Sequence, residues 1–138
     1  MDPVADTHPL AGRRVVVVDD DSPLLEAVTG VLKEAGCAVA AFGRFQDAKQ
    51  HLATKDPPDV LITDVRLGAF NGLQLALKCK LEHPSMVAVV MTGFDDPVLR
   101  RDAETSGAHY LLKPVRPDTL IDLLRLTATR PEPSPSER

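Results

Sequence analysis

Val15-Val16-Val17-Val18-Asp19-Asp20-Asp21-Ser22-Pro23 sets a β-branched apolar run, three acids and a helix start side by side. Four consecutive valines send apolar side chains to both faces of a strand, as an interior strand of a parallel sheet requires. Ser22 is the expected N-cap, with Pro23 at the first helical position, and Leu24, Val28, Val31, Leu32 and Ala35 then recur at helical spacing. Gly36 suits the C-terminal stop. The stretch therefore reads as one βα unit with carboxylates at the join.

The same unit recurs along the chain. Ala38-Val39-Ala40-Ala41-Phe42, Val60-Leu61-Ile62-Thr63, Met86 to Met91 and His109-Tyr110-Leu111-Leu112 are further strand candidates. Helical spacing appears at Phe45, Ala48 and Leu52, at Leu73, Ala76, Leu77 and Leu81, and at Leu120, Leu123 and Leu124, while Pro97 to Ser106 forms a polar fourth helix. Strands apolar on both faces, each followed by a helix, imply right-handed crossovers over both sides of a parallel sheet. The expected class is α/β, a doubly wound five-stranded parallel sheet with five flanking helices. Residues 1–12 are expected to be a flexible leader, 13–127 the domain, and the Pro/Ser-rich 128–138 a tail or linker.

At 138 residues with 43% hydrophobic content, the chain is expected to build one core. No apolar run approaches the roughly 18 to 20 residues of a membrane span, and the N-terminus lacks a basic-then-apolar leader. A cytoplasmic, non-membrane protein is expected. A net charge of -4 argues against a nucleic-acid surface on this domain. Cys37 and Cys79 form no Cys-x-x-Cys pair and read as small apolar thiols in or near the core.

In a doubly wound sheet, all strand C-termini point to one edge, and ligands bind there where the strand order reverses. That edge collects Asp19-Asp20-Asp21, Asp64, Thr92-Gly93 and Lys113-Pro114. Singly, each has an ordinary reading as a turn, cap or solvated residue. Together, three converging carboxylates repel one another unless a cation is present, and an all-oxygen site of this kind suits Mg²⁺. A threonine hydroxyl and a lysine ammonium then suit the oxygens of a phosphoryl group, with Asp64 as the nucleophile.

With these residues in place, the chain resembles the receiver domain of two-component response regulators over roughly Arg13 to Thr127. The motifs are Val-Val-Asp-Asp-Asp, Pro-Asp-Val-Leu-Ile-Thr-Asp, Val-Met-Thr-Gly and Gly-Ala-His-Tyr-Leu-Leu-Lys-Pro. The resemblance implies a flavodoxin-like sheet of order 2-1-3-4-5, and a phosphoacceptor signalling domain that assists its own phosphorylation and dephosphorylation rather than an enzyme. The donor would be a histidine kinase or histidine phosphotransfer protein, and Asp64 the acceptor. Asp20 and Asp64 would bind Mg²⁺ directly, Asp19 through water, and Arg66 through its main-chain carbonyl. Lys113 would pair with the phosphoryl group, Thr92 would move onto it, and Tyr110 would rotate inward behind Thr92. That motion would switch the surface of the fourth helix, fifth strand and fifth helix toward a downstream protein, an output domain or a second copy. The Lys113-Pro114 bond is expected to be cis. Gly68 stands where the family usually has proline, which is expected to loosen the loop. Arg66 and Phe94 occupy the positions two beyond Asp64 and Thr92 that modulate phosphoryl lifetime, and Phe94 is expected to slow self-dephosphorylation.

Two other readings compete. Asp19-x-Asp21 after an apolar strand also looks like the nucleophile motif of haloacid-dehalogenase-type phosphatases, with Asp19 phosphorylated and Asp21 as acid/base. A module of the same fold could instead signal without phosphorylation. His8, His51, His83 and His109 lack metal-ligand spacing. Ile121 and Leu126, partly outside the apolar stripe of the fifth helix, are candidates for a partner or dimer surface.

Overall fold

The computed structural model describes residues 10–128. Its elements alternate: β1 (Arg14–Val18), α1 (Ser22–Glu34), β2 (Ala38–Phe42), α2 (Phe45–Thr54), β3 (Val60–Asp64), α3 (Gly72–Glu82), β4 (Val87–Thr92), α4 (Pro97–Thr105), β5 (His109–Leu112) and α5 (Pro117–Ala128). The five strands form one sheet of order β2-β1-β3-β4-β5, every adjacent pair parallel. This is the expected topology, with the reversal of strand order between β1 and β3.

Alternation along the strands divides the interior in two. Val16, Val18, Leu61, Ala88 and Val90 pack with residues of α2, α3 and α4, among them Ala48, Leu73, Ala76 and Ala103. Val15, Val17, Val60, Ile62, Val89 and Met91 pack with Val28 and Leu32 of α1 and Leu120 and Leu124 of α5. Covering both faces explains why the interior positions of these strands are apolar up to their C-terminal ends. Cys37 and Cys79 are buried free thiols, one in each half.

Three sequence expectations need correction. The N-cap of α1 is Asp21, not Ser22, because the Asp21 carboxylate accepts from the Leu24 amide at 3.2 Å and Ser22 already begins the helix. The strand expected from Met86 begins at Val87 and runs through Thr92. The leader expected over residues 1–12 is not free at its end. Leu10 is 1% exposed in the α1/α5 half of the core. Its amide bonds the Ala35 carbonyl at 3.1 Å, and the Gly12 amide bonds that of Gly36 at 3.0 Å. An apolar side chain two residues upstream of Gly12 thus had a hole to fill at the end of α1. The rest of that leader, with His8, and the expected tail from 129 lie outside the described residues. α1 closes as expected at Gly36, with the Cys37 amide reaching back to the Leu32 carbonyl at 3.0 Å.

Between β3 and α3 the chain folds a short antiparallel ribbon, Arg66 opposite Asn71 and Leu67 opposite Phe70. Gly68 takes φ 64° at the first of the two turn positions, where a tight turn of the II′ class needs glycine and proline cannot go. The glycine in place of the family's proline thus sits in the turn of a closed hairpin. Among the described residues, no helix is long and apolar enough to cross a membrane.

Candidate functional site

β1 and β3 lie side by side and end together, so the residues leaving them meet at the point where the strand order reverses. Asp19, Asp20 and Asp64 each place a carboxylate oxygen within 4.8 Å of the others. Asp19 is fully buried, Asp64 nearly so, and Asp20 is exposed. The backbone holds Asp19 in place: its amide bonds the Phe42 carbonyl at 3.0 Å, and its Oδ1 accepts from the Asp21 amide at 2.9 Å. Asp21 thus faces away from the cluster and serves as the α1 cap.

Lys113 arrives from the far side. Its amide bonds the Thr92 carbonyl at 2.8 Å as the ladder between β4 and β5 ends, and the Lys113-Pro114 bond is cis, as expected. Its Nζ stands 2.9 Å from Asp19 Oδ2 and 3.3 Å from Asp64 Oδ2, bridging the two buried acids. Burial alone would lower the lysine pKa, but hydrogen bonds and charges from Asp19 and Asp64 outweigh it and hold the ammonium above its ordinary value. Asp64 is pushed up, first by burial and then by the Asp19 charge. Lys113 and the Arg66 amide pull it down without cancelling that rise. One cation facing three carboxylates leaves a net negative oxygen cluster, the donor set a hard divalent ion takes.

Thr92 is buried at the end of β4, and its Oγ1 accepts from the Phe94 amide at 3.2 Å, which leaves the hydroxyl proton available to another acceptor. Tyr110 is half-buried on β5 and is bonded through its hydroxyl to the loop following Thr92. The resemblance placed Arg66 and Phe94 beside the site. The structure adds that they touch, the Arg66 guanidinium carbon lying 5.0 Å from the Phe94 ring centroid.

Two residues of the site escaped the sequence reading. A Cβ at Gly72 would fall 1.9 Å from the Asp64 carbonyl oxygen and 2.6 Å from Thr63 Oγ1, so only glycine lets α3 start against the strand end. The buried Thr63 hydroxyl donates to that same carbonyl at 2.9 Å. The Asn71-Gly72 pair was the available signal, since Asn71 caps α3 by accepting from the Leu73 and Gln74 amides. A concavity of about 910 Å³ lies at the opposite sheet edge among Arg13, Arg14, Asp59 and His83. No cluster of three or more acidic, histidine or cysteine ligands forms there among the described residues.

The family model described as the response regulator receiver domain matches residues 15–125. The chain belongs to this family. Among sequenced relatives, this receiver is 34% identical over 111 residues to the DNA-binding transcriptional regulator NtrC of Escherichia coli, a match covering 80% of this chain and 24% of that protein. It is 28% identical over 115 residues to the uncharacterized transcriptional regulatory protein YesN of Bacillus subtilis, covering 80% of this chain and 31% of that one. The receiver therefore spans about a quarter to a third of the length of these relatives. A CheY-like receiver structure from Methanospirillum hungatei superposes with a TM-score of 0.77 at 22% identity, over 84% of this chain and 93% of that one, and shares the fold.

Proposed function

We propose that this receiver is a cytoplasmic phosphoacceptor in which Asp64 takes a phosphoryl group from a phosphohistidine of a histidine kinase or histidine phosphotransfer protein. A carboxylate oxygen of Asp64 attacks phosphorus, the phosphorus–nitrogen bond breaks, and the departing imidazole takes up a proton. The observation that carries this reading is the meeting of Asp19, Asp20 and Asp64 within 4.8 Å, with Lys113 Nζ between the two buried members.

The cluster fits Mg²⁺ because its donors are all oxygen and Lys113 offsets only part of their charge. Asp20 and Asp64 would hold the ion directly, Asp19 through water and Arg66 through its main-chain carbonyl. When bound, the ion neutralises charge on the phosphoryl oxygens. Lys113 pairs with one phosphoryl oxygen, and the Thr92 hydroxyl, whose oxygen is already oriented by the Phe94 amide, donates to another. Thr92 and Tyr110 then carry the change to α4, β5 and α5, where Val98 of α4 and Leu112 of β5 are exposed apolar side chains suited to a downstream partner, an output domain or a second copy.

The test is labelling with acetyl phosphate, with and without Mg²⁺, followed by borohydride trapping and site mapping. Label on Asp64 that requires Mg²⁺ and disappears in Asp64→Asn is the expected result. Label on Asp19 would favour the phosphatase reading, against which stand the complete burial of Asp19 and the capping role of Asp21. A chain that binds Mg²⁺ but takes no label would be a phosphorylation-independent module.

A further inference from the structure

Tyr110 is gripped twice. Its hydroxyl donates to the Phe94 carbonyl at 3.1 Å and accepts from the Asp96 amide at 3.0 Å, so both polar partners belong to the loop leaving Thr92. Its ring is covered by Arg100, whose guanidinium carbon lies 4.6 Å from the ring centroid. Arg100 is itself fixed: its Nη2 stands 2.9 Å from Asp95 Oδ1, and its amide bonds the Asp96 carbonyl at 2.9 Å in the first turn of α4. A planar cation over a ring face is attracted by the ring's quadrupole, and a carboxylate that orients the guanidinium narrows the positions it samples. One short loop, residues 94–96, thus supplies the tyrosine's hydrogen-bond partners and anchors the cation on its ring.

We propose that Arg100, tethered by Asp95, is a positioning residue that holds the Tyr110 ring against the loop behind Thr92 and so favours the inward, signalling arrangement of the switch. The inference rests on the reading of Tyr110 as the switch aromatic and adds the residue that biases it. The direction follows from the hydroxyl, which already engages the backbone just beyond Thr92, where an inward aromatic belongs. Arg100 touches no reacting atom. Because Arg100 is half-exposed and Asp95 exposed, the bias is modest and weakens with salt.

The chain has one tyrosine and no tryptophan, so its near-ultraviolet emission is that of Tyr110. With Mg²⁺ present, acrylamide quenching of that emission and its titration with beryllofluoride, an acyl-phosphate analogue, are compared in the unaltered chain, Arg100→Met, Asp95→Asn and the double variant. Arg100→Met is expected to increase quenching and to raise the beryllofluoride midpoint about two- to fivefold, the scale of an exposed cation–π contact. Asp95→Asn shifts both in the same direction by less, and adds nothing to Arg100→Met. Should beryllofluoride change the emission while Arg100→Met leaves quenching and midpoint untouched, Arg100 has no positioning role and the switch reading stands. Should Asp64 take label from acetyl phosphate while the emission ignores beryllofluoride, Tyr110 is not the switch and the role of Arg100 falls with it.

Discussion

Asp64 is a carboxylate whose surroundings work against its charge, through burial first and Asp19 second. An acid raised in the folded chain keeps its proton after the unfolded one has lost it. Stability therefore falls as pH climbs from the ordinary carboxylate value of 3.8 through the higher folded value. Asp64→Asn removes that loss, so in EDTA at neutral pH the variant is expected to melt above the unaltered chain. Added Mg²⁺ should raise the melting temperature of the unaltered chain far more than that of the variant, as calorimetry would read directly. At Phe94 the expectation concerns rate. With Arg66 stacked on it beside the phosphoacceptor loop, the ring restricts the approach of water, and Phe94→Ala should shorten the aspartyl-phosphate half-life about two- to fivefold, the scale of losing that contact. Loss of trapped label over time measures it, and an unchanged half-life would remove Phe94 from the account. The sequence made Asp19, Asp64, Thr92 and Lys113 legible because the strand ends they follow can be found from apolar runs. The pairings Arg66–Phe94 and Arg100–Tyr110 were not legible, because they join exposed or half-buried side chains far apart in sequence and periodicity does not report which of these touch.

At the level of elements, the start of α3 decides how Asp64 is presented. The Gly72 amide bonds the Val65 carbonyl at 2.7 Å, closing the ribbon that carries Arg66 and setting a helix N-terminus against the peptide group of Asp64. Gly72→Ala forces that helix start away from the strand end. We expect a loss of about 1–3 kcal/mol in urea unfolding, the range for overpacking a tight site, together with slower labelling by acetyl phosphate at saturating Mg²⁺. Normal labelling in a destabilised variant would confine Gly72 to packing. Helix and strand positions were readable from apolar spacing, whereas the cap of α1 was misplaced by one residue. Asp21 and Ser22 are both good caps by residue type, and the choice was made by the Asp21 amide, which is committed to Asp19 Oδ1 and so fixes the turn. Gly68 likewise shows a local departure from pattern explained by a turn whose class the sequence did not reveal.

Across the whole molecule, the sheet separates two cores that differ in how they are sealed. The α1/α5 half is completed by Leu10, outside the expected domain boundary, and Arg13 ties the same region to the Leu124 carbonyl at 3.2 Å. Leu10→Ala should cost about 2–5 kcal/mol in urea unfolding, as for other buried leucines, with Mg²⁺-dependent labelling of the folded protein retained. A negligible loss would return Leu10 to the leader. Leu10 was missed because a lone apolar residue among prolines and polar residues has no period to announce it. The strand order also distributes anchoring unequally. β1 and β3 are paired on both sides, whereas β5 is bound only to β4. The acids therefore stand on the most firmly held strands, and Tyr110 with the approach to Lys113 stands on the least. Brief detachment of this margin would withdraw the ammonium from the acids and release the aromatic together, because Tyr110 and the approach to Lys113 share one strand held from one side.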